Sequence, residues 1–273
     1  MRFFSVLLTS SIIFVISSSS CTGRISDNKV FEKIARCVCK IYIEHELDGG
    51  VTKSRGSGIV LKKQIKNTST YFACTAYHVI EDILRIQNVK SEIFFFDSNG
   101  IKCWANIYRE NIIWRNREMD SAIIAIPSNI SHKKLDENLQ IGEPEFVKDI
   151  VIPSIGQSVY MMGYRWLRDR DANPIFKKGI LSAILDDLPG HVGHHVFLID
   201  KMANKGMSGG LIFSNRGKAI AMISSYLLET EQKIRTSDDI TVGIPMIVLL
   251  KELETEIDKN GDRILEIILT ERQ

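Results

Sequence analysis

The chain is 273 residues long, enough for one large domain or two small ones. Hydrophobic residues make up 44% and charged residues 25%, which is ordinary for a soluble globular protein. A net charge of +2 is too small for nucleic acid or an anionic membrane surface to be the main partner.

Residues 1–20 differ from everything after them. Arg2 is followed by an apolar stretch from Phe3 to Ile16, broken by Ser5 and by Thr9 to Ser11, then by four serines and Cys21. A short positive start, a brief apolar core and a small-residue exit make a secretory signal peptide. The apolar run falls short of the roughly 20 residues that span a bilayer. Ser18, Ser19 and Ser20 directly before Cys21 also resemble the end of a bacterial lipoprotein signal, in which the cysteine becomes the lipidated first residue. Ser18 stands where that signal usually has leucine, so lipidation of Cys21 and simple cleavage among the serines both stay open. The difference bears on localisation, because one acyl chain anchors weakly and two hold stably. Residues 21–29 read as a linker.

From there the dominant pattern is short apolar runs between turns. In chain order these are Val38 to Ile43, Gly58 to Leu61, Tyr71 to Thr75, Ile93 to Phe96, Ser121 to Ile126, Ser158 to Met162, Val196 to Ile199, Gly210 to Phe213 and Ala219 to Ser225. Most are four to eight residues long and rich in Ile, Val, Phe or Tyr, as strands are. Ser98-Asn99-Gly100 and Asn215-Arg216-Gly217 supply hairpin turns. The class expected is all-β, a sandwich or barrel.

Helical spacing is confined to Val79 to Ile86, to Met246 to Ile257 just after Pro245, and to Asp262 to Thr270. There is no internal repeat and no Pro-rich linker, and the chain ends too soon to carry an appended peptide-binding domain. Cys37, Cys39, Cys74 and Cys103 allow three disulfide connectivities or none; buried free thiols and disulfides are equally compatible with the sequence.

Three segments carry chemistry. Cys74-Thr75-Ala76-Tyr77-His78-Val79 ends a strand in a histidine that opens a helical turn. Asp120-Ser121-Ala122-Ile123-Ile124 places an aspartate at the mouth of an apolar strand. Gly206-Met207-Ser208-Gly209-Gly210 holds a serine among three glycines before another strand. A serine hydroxyl is a poor nucleophile until an imidazole accepts its proton. The imidazole in turn needs a third group to fix its tautomer and steady the imidazolium. Glycine two before the serine lets the amides of Gly206 and Ser208 converge on one developing oxyanion. Each segment alone is a plausible cap or turn; their joint occurrence in the order His, Asp, Ser is not.

On these segments the sequence resembles the chymotrypsin-fold serine peptidases, and most closely the bacterial Deg (high-temperature-requirement) group. Thr75 to Val79 matches the group's Thr-Ala-x-His-Val, Asp120 to Ile124 its Asp-x-Ala-apolar strand, and Gly206 to Gly210 its Gly-x-Ser-Gly-Gly. Gly56-Ser57-Gly58, Gly156 to Tyr160, Gly179 to Ser182 and Gly243 to Pro245 resemble further strand segments. Departures are Tyr77 for the usual Ala and Leu211 for the common Pro, neither of which touches a proton-transfer group.

The resemblance implies a peptidase domain over residues 30–258: two six-stranded antiparallel β-barrels, roughly residues 30–150 and 151–245, then a C-terminal helix and a helical tail over 259–273. His78 and Asp120 would come from the first barrel and Ser208 from the second. Met202, followed by Ala203, would floor the specificity pocket and favour an uncharged, medium-sized apolar residue. Ser224, Ser225 and Tyr226 would pair with the substrate backbone. Tyr164 to Lys178 would be a long loop near the active site, either regulatory or a solvated hairpin. The substrates implied are polypeptides, unfolded or exported, with no cofactor and no metal. His191, His194 and His195 with Asp186 and Asp187 lack zincin spacing and read as a surface loop. The reading from another class is a binding or scaffolding protein that keeps the fold without catalysis. Met207 stands where digestive relatives keep the aspartate that captures a new N-terminus, so activation by propeptide removal is not expected.

Overall fold

The computed structural model describes residues 27–47, 50–87, 89–96, 102–130, 133–134, 152–165, 173–186, 195–224 and 240–269. The signal region, Cys21, Ser225, Tyr226, Asp187, His191 and His194 lie outside the described residues.

A helix α1 (Asp27–Arg36) comes first, beginning inside the stretch expected to be linker. Strands β1 (Val38–Leu47), β2 (Gly50–Ile65) and β3 (Thr68–Thr75) follow, then helix α2 (Tyr77–Arg85). Next are β4 (Lys90–Phe96), β5 (Lys102–Asn106), a 3-10 turn at Arg109–Asn111, β6 (Ile112–Asn116), β7 (Ser121–Ala125) and the short pair β8 (Asn129–Ile130) and β9 (Lys133–Lys134). The second half holds β10 (Ser158–Gly163), β11 (Ile175–Leu185), β12 (Val196–Ile199), β13 (Leu211–Ser214), β14 (Ala219–Ser224) and β15 (Thr241–Pro245), and ends in α3 (Met246–Leu269).

The first half is a seven-stranded antiparallel sheet ordered β5-β4-β1-β2-β3-β7-β6; the second is a closed barrel ordered β10-β11-β12-β15-β14-β13. The expected all-β class with a C-terminal helix is therefore present, and one closed six-stranded barrel beside a second sheet is consistent with the expected double barrel, the first half holding a seven-stranded sheet and the β8–β9 pair. In the middle of the first sheet, over Gly56 to Leu61 of β2, Thr70 to Thr75 of β3 and all of β7, both faces are buried, which is why these stretches read as continuous apolar runs. Register makes the period of two explicit. Ile59 opposes Cys74, which opposes Ile123, and these face the core shared with the second barrel. Val60, Ala73 and Ile124, one residue along, face the sheet's own interior with Ile41 and Phe95. Ile212, Val159 and Phe197 fill the closed barrel, while Leu211 and Phe213 on the other face of β13 join the shared core.

Two helices seal that shared core. α3 buries Met246, Leu249, Leu253, Ile264 and Ile268 across a break in helical geometry at Asn260. Its final turn is tied to the first half, where the backbone N–H and hydroxyl of Ser128 both donate to the Ile268 carbonyl at 3.1 and 2.9 Å. α1 buries Ile34 and stacks Phe31 on Phe176 at 4.8 Å between ring centres. Phe176 lies in β11, so Ile175 to Lys178 are strand and only the earlier part of the expected long loop can be one.

Cys37, Cys39, Cys74 and Cys103 are all buried free thiols. Burial raises the pKa of Cys39, and pushes Cys74 up to about 12, because a thiolate would lose its hydration there.

Candidate active site

β3 ends at Thr75, Ala76 stays extended, and α2 begins at Tyr77, so His78 falls in the first helical turn. Ala76 has no side chain with which to cap that helix, and a carboxylate from elsewhere does it instead. The His78 backbone N–H donates to Asp120 Oδ1 at 3.0 Å, satisfying one of the orphan donors of the helix start. His78 Nδ1 lies 2.9 Å from both oxygens of the same carboxylate. Backbone and ring are thus held by one group, which fixes the imidazole's position; a carboxylate acceptor at Nδ1 favours the tautomer with its proton there.

Asp120 sits in the turn between β6 and β7, its N–H donating to the Arg117 carbonyl at 3.1 Å. Its φ of 45° is in the left-handed region, a conformation that costs a non-glycine residue on the order of 1–3 kcal/mol. The carboxylate's bonds offset that cost. Besides those from His78, it accepts the Ser224 hydroxyl at 2.6 Å on Oδ2. Ser224 is fully buried, so its side chain braces Asp120. The sequence reading gave Ser224 only a place in the strand that pairs with the substrate backbone.

Ser208 rests in two consecutive tight turns. Met207 N–H donates to Asn204 O at 2.9 Å, closing the first, and Gly210 N–H donates to Met207 O at 2.8 Å, closing the second. Gly206 and Gly209 occupy the third positions with φ of 94° and 86°, as type II turns require of glycine. The turns are fastened on both sides. Ser57 N–H of β2 donates to the Ser208 carbonyl, and Gly209 N–H to the Ile223 carbonyl, each at 2.7 Å. Ile223 precedes Ser224, so the glycine-framed serine is anchored beside the residue that holds Asp120. Hydrogen bonds thus join His78, Asp120 and Ser224, and fasten the segment Gly206 to Gly210 to Ile223, the neighbour of Ser224.

A family model for the trypsin-like peptidase domain matches residues 56–222, a stretch that takes in all three segments. The chain belongs to the trypsin-like peptidase family. The crystal structure of Deg5 is similar to this trypsin-like domain in fold, with a TM-score of 0.57 and 17% sequence identity over 82% of this chain and 90% of that one. No curated protein matches it in sequence.

Met202 and Ala203 line a cleft of about 510 Å³ in this peptidase domain, together with Arg165, Asn204 and Lys205. Met202 is 43% exposed, and its carbonyl accepts Lys177 Nζ at 2.7 Å. Partial burial, with the nearby charges of Lys201 and Arg165 adding to it, lowers the pKa of Lys177. The cationic wall was not foreseen from Met202 and Ala203 alone. Met207 is fully buried, and its sulfur accepts the Asn204 N–H at 3.3 Å. His195 and Asp186 form an exposed pair. No group of three or more His, Cys, Asp or Glu side chains suited to a metal occurs among the described residues.

Ser57 and Thr75 had no role assigned from sequence. Ser57 is fully buried, and its carbonyl accepts Thr75 Oγ1 at 2.7 Å. The available signal was Gly56-Ser57-Gly58, a polar residue between glycines at the start of an apolar run.

Proposed function

We propose that the protein is a serine endopeptidase with His78, Asp120 and Ser208 as its catalytic triad. The observation that supports this most is the clamping of His78 by Asp120 through both backbone and ring, together with a serine framed by two type II turns. With Nδ1–H donated to Asp120, the other ring nitrogen of His78, Nε2, is the base that takes the Ser208 proton as Oγ attacks the scissile carbonyl. The tetrahedral oxyanion is received by the N–H groups of Gly206 and Ser208, each such donor being worth about 2.7–4 kcal/mol in the transition state. His78 then protonates the leaving amine, and water repeats the sequence on the acyl-enzyme.

The substrates we infer are unfolded or exported polypeptides, bound along Ser224 to Tyr226 by backbone pairing and beside Met202 and Ala203 by one side chain. Export rests on residues 1–20, and anchoring in the cell envelope or periplasm on lipidation of Cys21. An esterase built on the same triad is disfavoured because α/β-hydrolases run Ser, Asp, His along the chain. A non-catalytic scaffold of this fold is disfavoured by the intact His, Asp and Ser. Labelling with a fluorophosphonate, followed by location of the adduct, tests the reading: modification of Ser208 supports it, and an inert protein favours the scaffold.

A further inference from the structure

We propose that Ser57 is a positioning residue for the oxyanion site, acting through the peptide plane between Gly206 and Met207. This rests on the serine peptidase reading above. The two expected oxyanion donors, Gly206 N–H and Ser208 N–H, flank that plane on either side. One edge of the plane is the Met207 N–H, held by Asn204 O at 2.9 Å. The other is the Gly206 carbonyl, which accepts the Ser57 hydroxyl at 2.7 Å. Gly206 has no Cβ and a φ of 94°, so nothing intrinsic to it prevents rotation of the plane.

Ser57 comes from β2 in the other half of the molecule, 149 residues away in sequence. Its Oγ is used fully. It donates to Gly206 O and accepts the Tyr164 N–H, also at 2.7 Å. Its own N–H holds the Ser208 carbonyl and its carbonyl takes Thr75 Oγ1, each at 2.7 Å. A fully buried hydroxyl with both roles satisfied is rigid, and its loss leaves the Gly206 carbonyl and the Tyr164 N–H without that partner. Released at one edge, the plane turns and the amides on either side no longer point at the same oxygen. The effect is felt by the tetrahedral intermediate and hardly at all by the bound substrate.

The test compares Ser57→Ala, Ser57→Thr and Ser57→Cys with the wild type, using a peptidyl-alanine p-nitroanilide and the matching peptidyl boronic acid. Ser57→Ala should lower kcat about 100-fold with KM nearly unchanged, the signature of an interaction made only in the transition state. Boronate affinity should fall in parallel, while binding of the cleaved peptide acid stays the same. The pH midpoint of kcat/KM should not move, because the His78–Asp120 pair is untouched. Ser57→Thr keeps the oxygen and should recover most of the loss. If Ser57→Ala does not fold, Ser57→Cys, similar in shape and a poor donor, replaces it with the same expectation. An active wild type whose Ala or Cys variant keeps full kcat and boronate affinity overturns this proposal alone. A wild type inert to both the anilide and a fluorophosphonate overturns the peptidase reading, and this proposal with it.

Discussion

Ser224 Oγ donates to Asp120 Oδ2 at 2.6 Å, joining β14 of the closed barrel to the turn before β7 of the first sheet. The aspartate that orients His78 is therefore itself oriented by the opposite half of the molecule. Removing that hydroxyl leaves a buried carboxylate oxygen without this donor, at a cost of about 1–3 kcal/mol. Ser224→Ala is expected to lower kcat/KM by about 10- to 100-fold, consistent with that cost, while the protein stays folded. Steady-state kinetics with a thermal melt check this; unchanged kcat/KM would show that Asp120 needs no such brace.

Met207 fills a fully buried position next to Ser208, and its sulfur takes the Asn204 N–H. A thioether offers no charge to a liberated N-terminal ammonium. Chains beginning at residue 22 with different N-terminal extensions should therefore turn over a small ester at equal rates. Turnover that arises only after one defined cut would contradict this.

The cleft beside Met202 and Ala203 carries Arg165 and Lys205 and, among the described residues, no acid in its lining. Like charges repel, so Lys and Arg on the acyl side of the scissile bond should be selected against. A peptide library read by mass spectrometry checks this, and a profile dominated by Lys or Arg would reassign the cleft.

Burial holds Cys39 and Cys74 as thiols, with Cys74 pushed up to about 12. A raised thiol pKa means less reactive thiolate at every pH below it. In the chain beginning at residue 22, none of the four buried cysteines should react with a disulfide reagent at pH 8 until denaturant is added, when all four should. Rapid labelling of the native protein would show that the core opens.

The strands of the shared core were legible because alternate residues are buried on both faces, as at Ile59, Val60, Phe72, Ala73, Ile123 and Ile124. β5 and β6 were not: KCWAN and IIWRN mix polar residues with apolar ones, and the residues of β6 are only partly buried or exposed. α1 was missed because its apolar face is defined by Phe31 and Ile34 against distant partners such as Phe176. The site divides in the same way. The local frames of His78, Asp120 and Ser208 could be read from adjacent residues. The use of Ser224 on Asp120 and of Ser57 on Gly206 could not, since these pairs lie 104 and 149 residues apart and only the packing of the two halves creates them.

The central claim is that Ser208 is a nucleophile activated by His78. The most direct measurement is fluorophosphonate labelling of the wild type, Ser208→Ala and His78→Ala, with the adduct located by peptide mass spectrometry and hydrolysis of an unfolded protein measured alongside. The account predicts one adduct, on Ser208, in the wild type, none in Ser208→Ala, and labelling and hydrolysis in His78→Ala slowed by a factor on the order of 10⁴ or more. An adduct at another residue, or more than a few per cent of wild-type hydrolysis in Ser208→Ala, would contradict it.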